Sequence, residues 1–459
     1  MDTLAAPPGG APAASVTVLP ATRLRGELGL PGDKSISHRA LMLGLLAEGE
    51  SRIEGAGDGA DVRSTAGVAA ALGASVERAR GNGGNVDYRI VSPGDEALRA
   101  PAATLDCGNS GTSLRLFAGI LAGLPLTAVL DGDESLRGRP VARIIEPLRA
   151  MGATLDARDH DSLPPVTVTG RRPLRPIDWI TPVPSAQVKS AILLAGLRAD
   201  GTTRVHERVA TRDHSERMLR ARGVTVRSLP DGAGGATIEI DGGTTVQAME
   251  ERVPGDPSAA AFWLVAAAVH PDAELVIRNV GLNPTRRAAI DLLARMGAGI
   301  EEHPIEAGAG EFGAADAGEP VADLVVRSSD LEAIDIGPAD VAAAIDEIPI
   351  LCLAATQARG RTTIRGAGEL RHKESDRLAG IAAGLRALGA RLDVDGDDLT
   401  IHGPVRLIGA ATDSLDDHRL AMTFAIAGLI ATGKTTVGRP ASASISYPGF
   451  FTDLERIRA

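Results

Sequence analysis

The chain has 459 residues, of which 44% are hydrophobic and 23% charged, with a net charge of −11. That length exceeds one ordinary core and predicts two or three domains in a normal soluble balance. The acidic balance excludes nonspecific binding to nucleic acid or to an anionic membrane surface, but leaves room for a local basic pocket that takes an acidic metabolite.

The opening residues MDTLAAPPGGAPAAS lack a basic stretch followed by a continuous apolar one. They read as a disordered tail over 1–15, and no signal segment is expected. No apolar run reaches the ~18 residues that span a bilayer, so a cytoplasmic protein is expected. Cys107 and Cys352 sit among small or apolar residues without ligand spacing and read as reduced, structural thiols.

Next comes PGDKSISHRALMLG, residues 31–44. It places Lys34 and Ser35 just before a helix and Arg39 near its first turn. Free N–H groups, a hydroxyl and two cations at one helix start suit an anion. Taken alone, the stretch is as easily a capped surface helix. DCGNSGTSLR, residues 106–115, offers Asn109 and Gly111 before a second helix, and Gly111 would let a ligand approach the backbone. RGRPVARI supplies Arg139 ahead of Pro140 at the first helical position. PVPSAQVKS brings Ser185, Ala186 and Gln187 to a further helix start, and TRDHSE adds Arg212. Each of these is also compatible with an ordinary cap or a solvated charge.

The second half of the chain is denser in such features. IDEIPIL carries Asp346 and Glu347 at the start of an apolar helix. ELRHKESDRL clusters Lys373, Glu374 and Arg377, and SLDDHRLAM places Arg419 at the start of the last long helix. That helix leads into GLIATGKTTV, Gly428 to Val437, which fits G-x-x-x-x-G-K-[ST] at every position. A P-loop needs a strand before this pattern and a helix after it. Here the order is helix, glycine, strand, so Lys434 is not expected to bind nucleotide.

The same order recurs six times, each copy an apolar helix, a helix end and a strand. The helix ends fall at Gly49, Gly123, Gly201, Pro271-Asp272, Gly360 and Gly433, where glycines are expected as αL caps. A second helix per copy ends at Gly73, Gly152, Gly223, Gly297 and Gly389. The predicted unit is strand–helix–strand–helix–strand–strand. The stretch HPIEAGAGEFGAADAGEP, residues 303–320, reads as a flexible insertion.

PGDKSISHRA, GNSGTSLR, RPVARI, SAQVKSA, IDEIPI, KESDRL and DHRLAM, in this order on a sixfold repeat, resemble the enolpyruvyl transferase family from about residue 16 to the C-terminus. The resemblance implies a two-domain inverted α/β fold with three units per half. One half would be residues 32–253, the other 16–31 with 254–459. It also implies transfer of the enolpyruvyl group of phosphoenolpyruvate to the 5-hydroxyl of shikimate 3-phosphate by a monomer, with no metal or organic cofactor. Lys34 would touch both substrates. Ser35, Arg39, Ser185, Ala186, Gln187, Arg212, Asp346 and Lys373 would hold shikimate 3-phosphate. Asn109, Gly111, Arg139, Gln187, Arg377 and Arg419 would hold phosphoenolpyruvate. Asp346 is the expected base for the 5-hydroxyl, Glu374 exchanges the C3 proton, and Lys34 protonates the leaving phosphate.

Two departures carry weight. Many members have a lysine in a Lys-Thr-Phe-Pro stretch near the C-terminus, where this chain has SISYPGF and Ile445. The small Gly111 implies sensitivity to glyphosate. The sister enzyme acting on UDP-N-acetylglucosamine is disfavoured because LDGDESLRGRP lacks its reactive cysteine. A P-loop nucleotidase and a non-catalytic metabolite-binding repeat protein are the readings from other classes. Seven cations on two substrates of about −5 to −6 combined must converge from both halves, which predicts domain closure. Small-angle scattering should give a smaller radius of gyration with shikimate 3-phosphate and an unreactive phosphoenolpyruvate analogue than without them; superimposable profiles would refute closure.

Overall fold

The six apolar runs form the helices Lys34–Leu46, Gly111–Ala122, Ala186–Gly196, Pro257–Val269, Ile348–Gln357 and His418–Ile430. A computed structural model describes residues 14–81, 85–305 and 318–458. Nearly every residue of these helices is buried, because each is apolar all round rather than along one stripe. They pack as two sets of three inside two separate hydrophobic cores. One core runs from Ile36 to Val253; the other combines Val18–Leu30 with Ala259–Ile457.

Small residues let these inner helices approach closely. A Cβ on Gly119 would lie 2.3 Å from the carbonyl oxygen of Ala191 on the neighbouring helix, and one on Gly384 would meet the Phe424 ring. The few aromatics concentrate in the second core, where Trp263 stacks on Phe450 at 5.0 Å and Tyr447 meets both edge-on.

Around each trio lie three small sheets. Five have four strands, in which the first strand runs parallel to the second, across the inner helix, and the other pairings are antiparallel. The chain supplies two of these first strands from a distance. Leu24–Gly29 pairs parallel with Ala273–Gly281, and Glu250–Arg252 pairs parallel with Glu48–Ala56. The sixth sheet departs from the predicted unit. It has three strands, Ala411–Asp413, Thr435–Gly438 and Ser15–Val18, and among the described residues no final hairpin. The segments Pro440–Ile445 and Phe450–Arg456 follow instead.

The helix ends also differ in detail from the expected αL caps. Four inner helices end on an extended residue, Ala47, His270, Ala358 or Ala431, with Gly49, Gly360 and Gly433 two residues later at φ of 103°, 111° and 89°. Gly123 has φ of −90°. The second helices follow the glycine rule more closely. Gly73, Gly152, Gly223, Gly297 and Gly389 all have positive φ, and the next N–H bonds back five residues, as in Ala74 to Ala69 and Ala390 to Leu385. Lys434 lies exposed in the turn between helix His418–Ile430 and strand Thr435–Gly438.

Ser15 pairs with Gly438, one residue inside the expected tail, while residues 1–13 lie outside the described ones. Of the expected insertion, His303 and Pro304 pair with Asp323 and Ala322, and Glu319 is buried; 306–317 lie outside the described residues. No helix among the described residues is long and apolar enough to cross a membrane.

The chain passes between the cores twice, side by side. Gly32 bridges Gly255, Asp33 N–H donates to Pro254 O and Asp256 N–H to Pro31 O. Gly119→Ala should destabilise its half by about 2 kcal/mol, since the new methyl meets a backbone carbonyl that cannot rotate away. Urea unfolding with an unchanged m-value and a lower midpoint is the expected result.

Candidate active site

All the chemistry-bearing stretches lie at helix N-terminal ends: Lys34, Gly111, Ala186, Asp346 and Arg419 at or beside the starts of inner helices, and Arg139, Arg212 and Arg377 at or just before the second helices Ala142–Ala150, His214–Ala221 and Arg377–Ala387. Five of the inner helices carry a capping side chain at that end: Asp33, Ser110, Ser185, Asp256 and Asp417 each accept from an N–H of the first turn. Remaining N–H groups and aligned dipoles favour negative charge there. Contacts between the two halves bring these ends to one cleft.

Asp346 is its centre on the second half. One oxygen accepts from Lys373 Nζ at 3.2 Å and from Arg377 at 3.2 Å; the other accepts from Arg212, of the first half, at 3.1 Å. Burial opposes its ionisation, but Lys373, Arg212 and Arg377 together hold the carboxyl well below the usual range. Glu374 is a second such carboxylate. Burial again opposes ionisation, and Arg377 in direct contact, with Arg139 and Lys34 nearby, holds it low.

Arg377 is buried and uses its three nitrogens on three carboxylates: Nε to Asp417 at 2.7 Å, and the others to Asp346 and Glu374. It therefore organises the acids as much as it offers charge to a ligand. Arg419 has Nη1 3.3 Å from Ser258 O, lies over the Phe262 ring, and has no partner for Nε among the described residues.

The first half contributes Lys34, paired with Asp61 at 2.5 Å. Arg139 donates to the Asn109 carbonyl at 3.2 Å and side chain at 2.5 Å, and Asn109 in turn donates to Asp133. Gln187 accepts from Arg115 at 2.6 Å and donates to Thr112 at 3.0 Å. A Cβ on Gly111 would lie 2.7 Å from that Arg115 guanidinium and 3.7 Å from Arg139. Ser185 accepts from Val188 N–H, with Ala186 and Gln187 opening the helix. Ser35 turns its carbonyl to Arg39.

Arg39 sits deeper than its motif implies. It is 5% exposed, with Nε on Ser215, Nη1 on Ser35 O and Nη2 on Ser190, and burial pulls it down to about 10. Ile445 ends the segment Pro440–Ile445, and its carbonyl oxygen faces Gly59 of the first half, where a Cβ would lie 2.5 Å away. Both cysteines are buried, and burial pushes the Cys352 thiol up to about 12.

Several site residues escaped the sequence reading. Asp61, Arg115 and Asp417 neutralise or orient Lys34, Gln187 and Arg377, so a charge count without the two aspartates overstates the cleft's free positive charge. Arg115 and Asp417 stand inside motifs already singled out; Asp61 carries no local signal at all. Arg286, on Asp256 at 2.9 Å, Ser258 at 2.9 Å and Asp33 at 3.4 Å, is equally silent in sequence.

This arrangement, cations and helix ends around two low-pKa carboxylates between two threefold halves, accords with the comparisons to known proteins. Residues 18–454 match the family model described as EPSP synthase (3-phosphoshikimate 1-carboxyvinyltransferase). The chain belongs to that family. It is 51% identical over 443 residues to a 3-phosphoshikimate 1-carboxyvinyltransferase of Gloeobacter violaceus, covering 96% of this chain and 98% of the relative. One from Bacillus cereus is 45% identical over 434 residues, covering 95% and 97%. The solved EPSP synthase of Acinetobacter baumannii superposes with a TM-score of 0.84 at 39% identity, covering 96% and 98%. The inverted two-domain α/β architecture is thus the family's own.

Because its folded pKa is depressed, Asp346 contributes stability that is fully present above the unfolded value of about 4 and lost as pH falls through the lower folded value. Urea unfolding of Asp346→Asn should show a steady deficit against the parent from about pH 7 to about pH 5, shrinking below about pH 4. A deficit that grows on acidification would contradict this sign.

Proposed function

We propose that the chain transfers the enolpyruvyl group of phosphoenolpyruvate to the 5-hydroxyl of shikimate 3-phosphate, releasing phosphate. The observation that carries this reading is Asp346, a carboxylate held by cations of both halves at the mouth of a helix-end anion site.

With Lys373 and Arg212 on it, Asp346 is too weak a base to take a hydroxyl proton. A bound phosphate dianion competes for the same two cations, so substrate binding raises the basicity of Asp346 where the 5-hydroxyl lies. Glu374 behaves alike: a substrate carboxylate drawing on Arg377 weakens the hold on Glu374 and lets it carry the C3 proton. Lys34, with Asp61 as counter-ion, supplies a proton to the departing phosphate. The addition forms a C–O bond at C2 as C3 gains a proton; elimination removes a C3 proton and expels phosphate.

Shikimate 3-phosphate is read as the ligand of Ser35, Arg39, Ser185, Ala186, Gln187, Arg212 and Lys373, with Arg39 acting from behind through Ser35. Phosphoenolpyruvate is read as the ligand of Arg139, Arg377 and Arg419 beside Asn109, Gly111 and Gln187. Ile445 contributes no cation, so the phosphate is held by arginines and Lys34. Glyphosate is expected in the phosphoenolpyruvate place, against Gly111. The halves, residues 16–31 with 254–459 and 32–253, are read as opening and closing around these ligands, in a cytoplasmic monomer.

Phosphate release tests the reading. Release from phosphoenolpyruvate should require shikimate 3-phosphate, fall by about 10²-fold or more in Lys34→Ala, and be unchanged in Lys434→Ala. Release without shikimate 3-phosphate, or its loss in Lys434→Ala, would sink the proposal.

A further inference from the structure

Arg212 reaches the cleft from an irregular segment between strand Thr202–Glu207 and helix His214–Ala221. Its neighbours on the two sides are held in different ways. Thr211 is tied within its own half: its hydroxyl donates to Glu207, its N–H lies 3.4 Å from Glu207 Oε2, and its carbonyl accepts from Lys189 Nζ at 3.3 Å. Lys189 is buried and paired with Glu207 and Glu216, each at 2.8 Å. That anchor belongs wholly to the first half.

Asp213 and His214, on the other side of Arg212, are held from the second half. The Asn283 amide donates to Asp213 Oδ1 at 2.7 Å and to Glu319 Oε2 at 2.8 Å. The other oxygen of Glu319 is bonded to His214 Nδ1 at 2.7 Å, and both side chains are fully enclosed. Arg217 completes the cluster, donating to Asp213 at 2.8 Å and to the Gly318 carbonyl at 3.0 Å. Glu319 and Asn283 take no part in the chemistry above.

We propose that Glu319 and Asn283 are positioning residues for Arg212, latching its segment across the hinge so that its guanidinium is aimed at the cleft only when the two halves are together. A buried carboxylate that accepts from both an imidazole and an amide is costly to leave unpaired, so the latch is made or broken as a unit. On separation of the halves the Thr211 anchor survives, whereas the contacts of Asn283 with Asp213 and of Glu319 with His214 do not. Closure and the grip on the shikimate phosphate are thereby coupled through one turn of chain. The inference rests on Arg212 being a ligand of shikimate 3-phosphate.

A double-mutant cycle tests it on the full-length enzyme, using Glu319→Ala, Glu319→Gln, Arg212→Ala and the Glu319→Ala/Arg212→Ala pair. Glu319→Ala should raise KM for shikimate 3-phosphate about five- to tenfold, with KM for phosphoenolpyruvate at saturating shikimate 3-phosphate changed less than about twofold. Glu319→Gln, which keeps the shape and one acceptor, should recover part of the loss. In the Arg212→Ala background the further change to Ala at 319 should have no added effect on that KM. Effects that multiply, an unchanged KM in Glu319→Ala, or equal rises in both KM values would overturn the positioning role. A wild-type enzyme without phosphate release from the two substrates would instead strike the functional reading itself, and the same assay plate reports it.

Discussion

Two aspartates and one arginine hold the place where the chain changes halves. Asp33 and Asp256 follow the two crossings, and each caps the inner helix that begins there. Burial, and then the nearby Asp33, push the Asp256 carboxyl up, and Arg286 between them supplies the opposing charge. Caps, crossings and cation form one buried unit. It joins the start of helix Lys34–Leu46 to that of Pro257–Val269 through Arg286, which also bonds Ser258, and Ser258 in turn bonds Glu347 and Arg419. A buried charge stripped of its partner is expensive, so each of Asp33, Asp256 and Arg286 depends on the other two.

The distribution of cations separates structure from chemistry. Outer sheet faces are laced with arginine–carboxylate pairs, such as Arg89 with Glu50 and Glu77, Arg227 with Glu239 and Asp241, and Arg278 with Glu27 and Asp323. Pairs so exposed add little each. Lysine is used sparingly: Lys34, Lys189, Lys373 and Lys434 are the whole set. Three of them are enclosed or half-enclosed on carboxylates at or behind the cleft, and only Lys434 is exposed in a turn. A compact ammonium that can release a proton has a use in such a cleft that a guanidinium cannot fill.

The cleft rests in a neutralised state of its own making. Asp61, Asp346, Glu374 and Asp417 occupy cations that anionic substrates would otherwise meet bare. On the proposed reading, substrate anions and protein carboxylates compete for the same groups. In the proposed mechanism that competition links binding to the basicity of the acids.

Much of this was legible along the chain. The six helix–strand junctions showed the repeat because burial all round makes each inner helix a continuous apolar run, and the positive-φ glycines after the second helices marked its period. The helix order at GLIATGKTTV was enough to set aside the P-loop reading of Lys434. Family-like motifs named Lys34, Arg139, Asp346, Glu374 and Arg419 because each sits at a helix start with local punctuation. The reduced sixth sheet was hidden, since its third strand, Ser15–Val18, comes from the far end of the chain. Asp61, Arg286, Asn283 and Glu319 were hidden for the same reason. Local sequence determines which segments are helices and where their N-termini lie, through periodicity and capping. Which carboxylate faces which cation is decided by long-range packing, and here only the tertiary structure could pair Lys34 with Asp61 or Arg212 with Asp346.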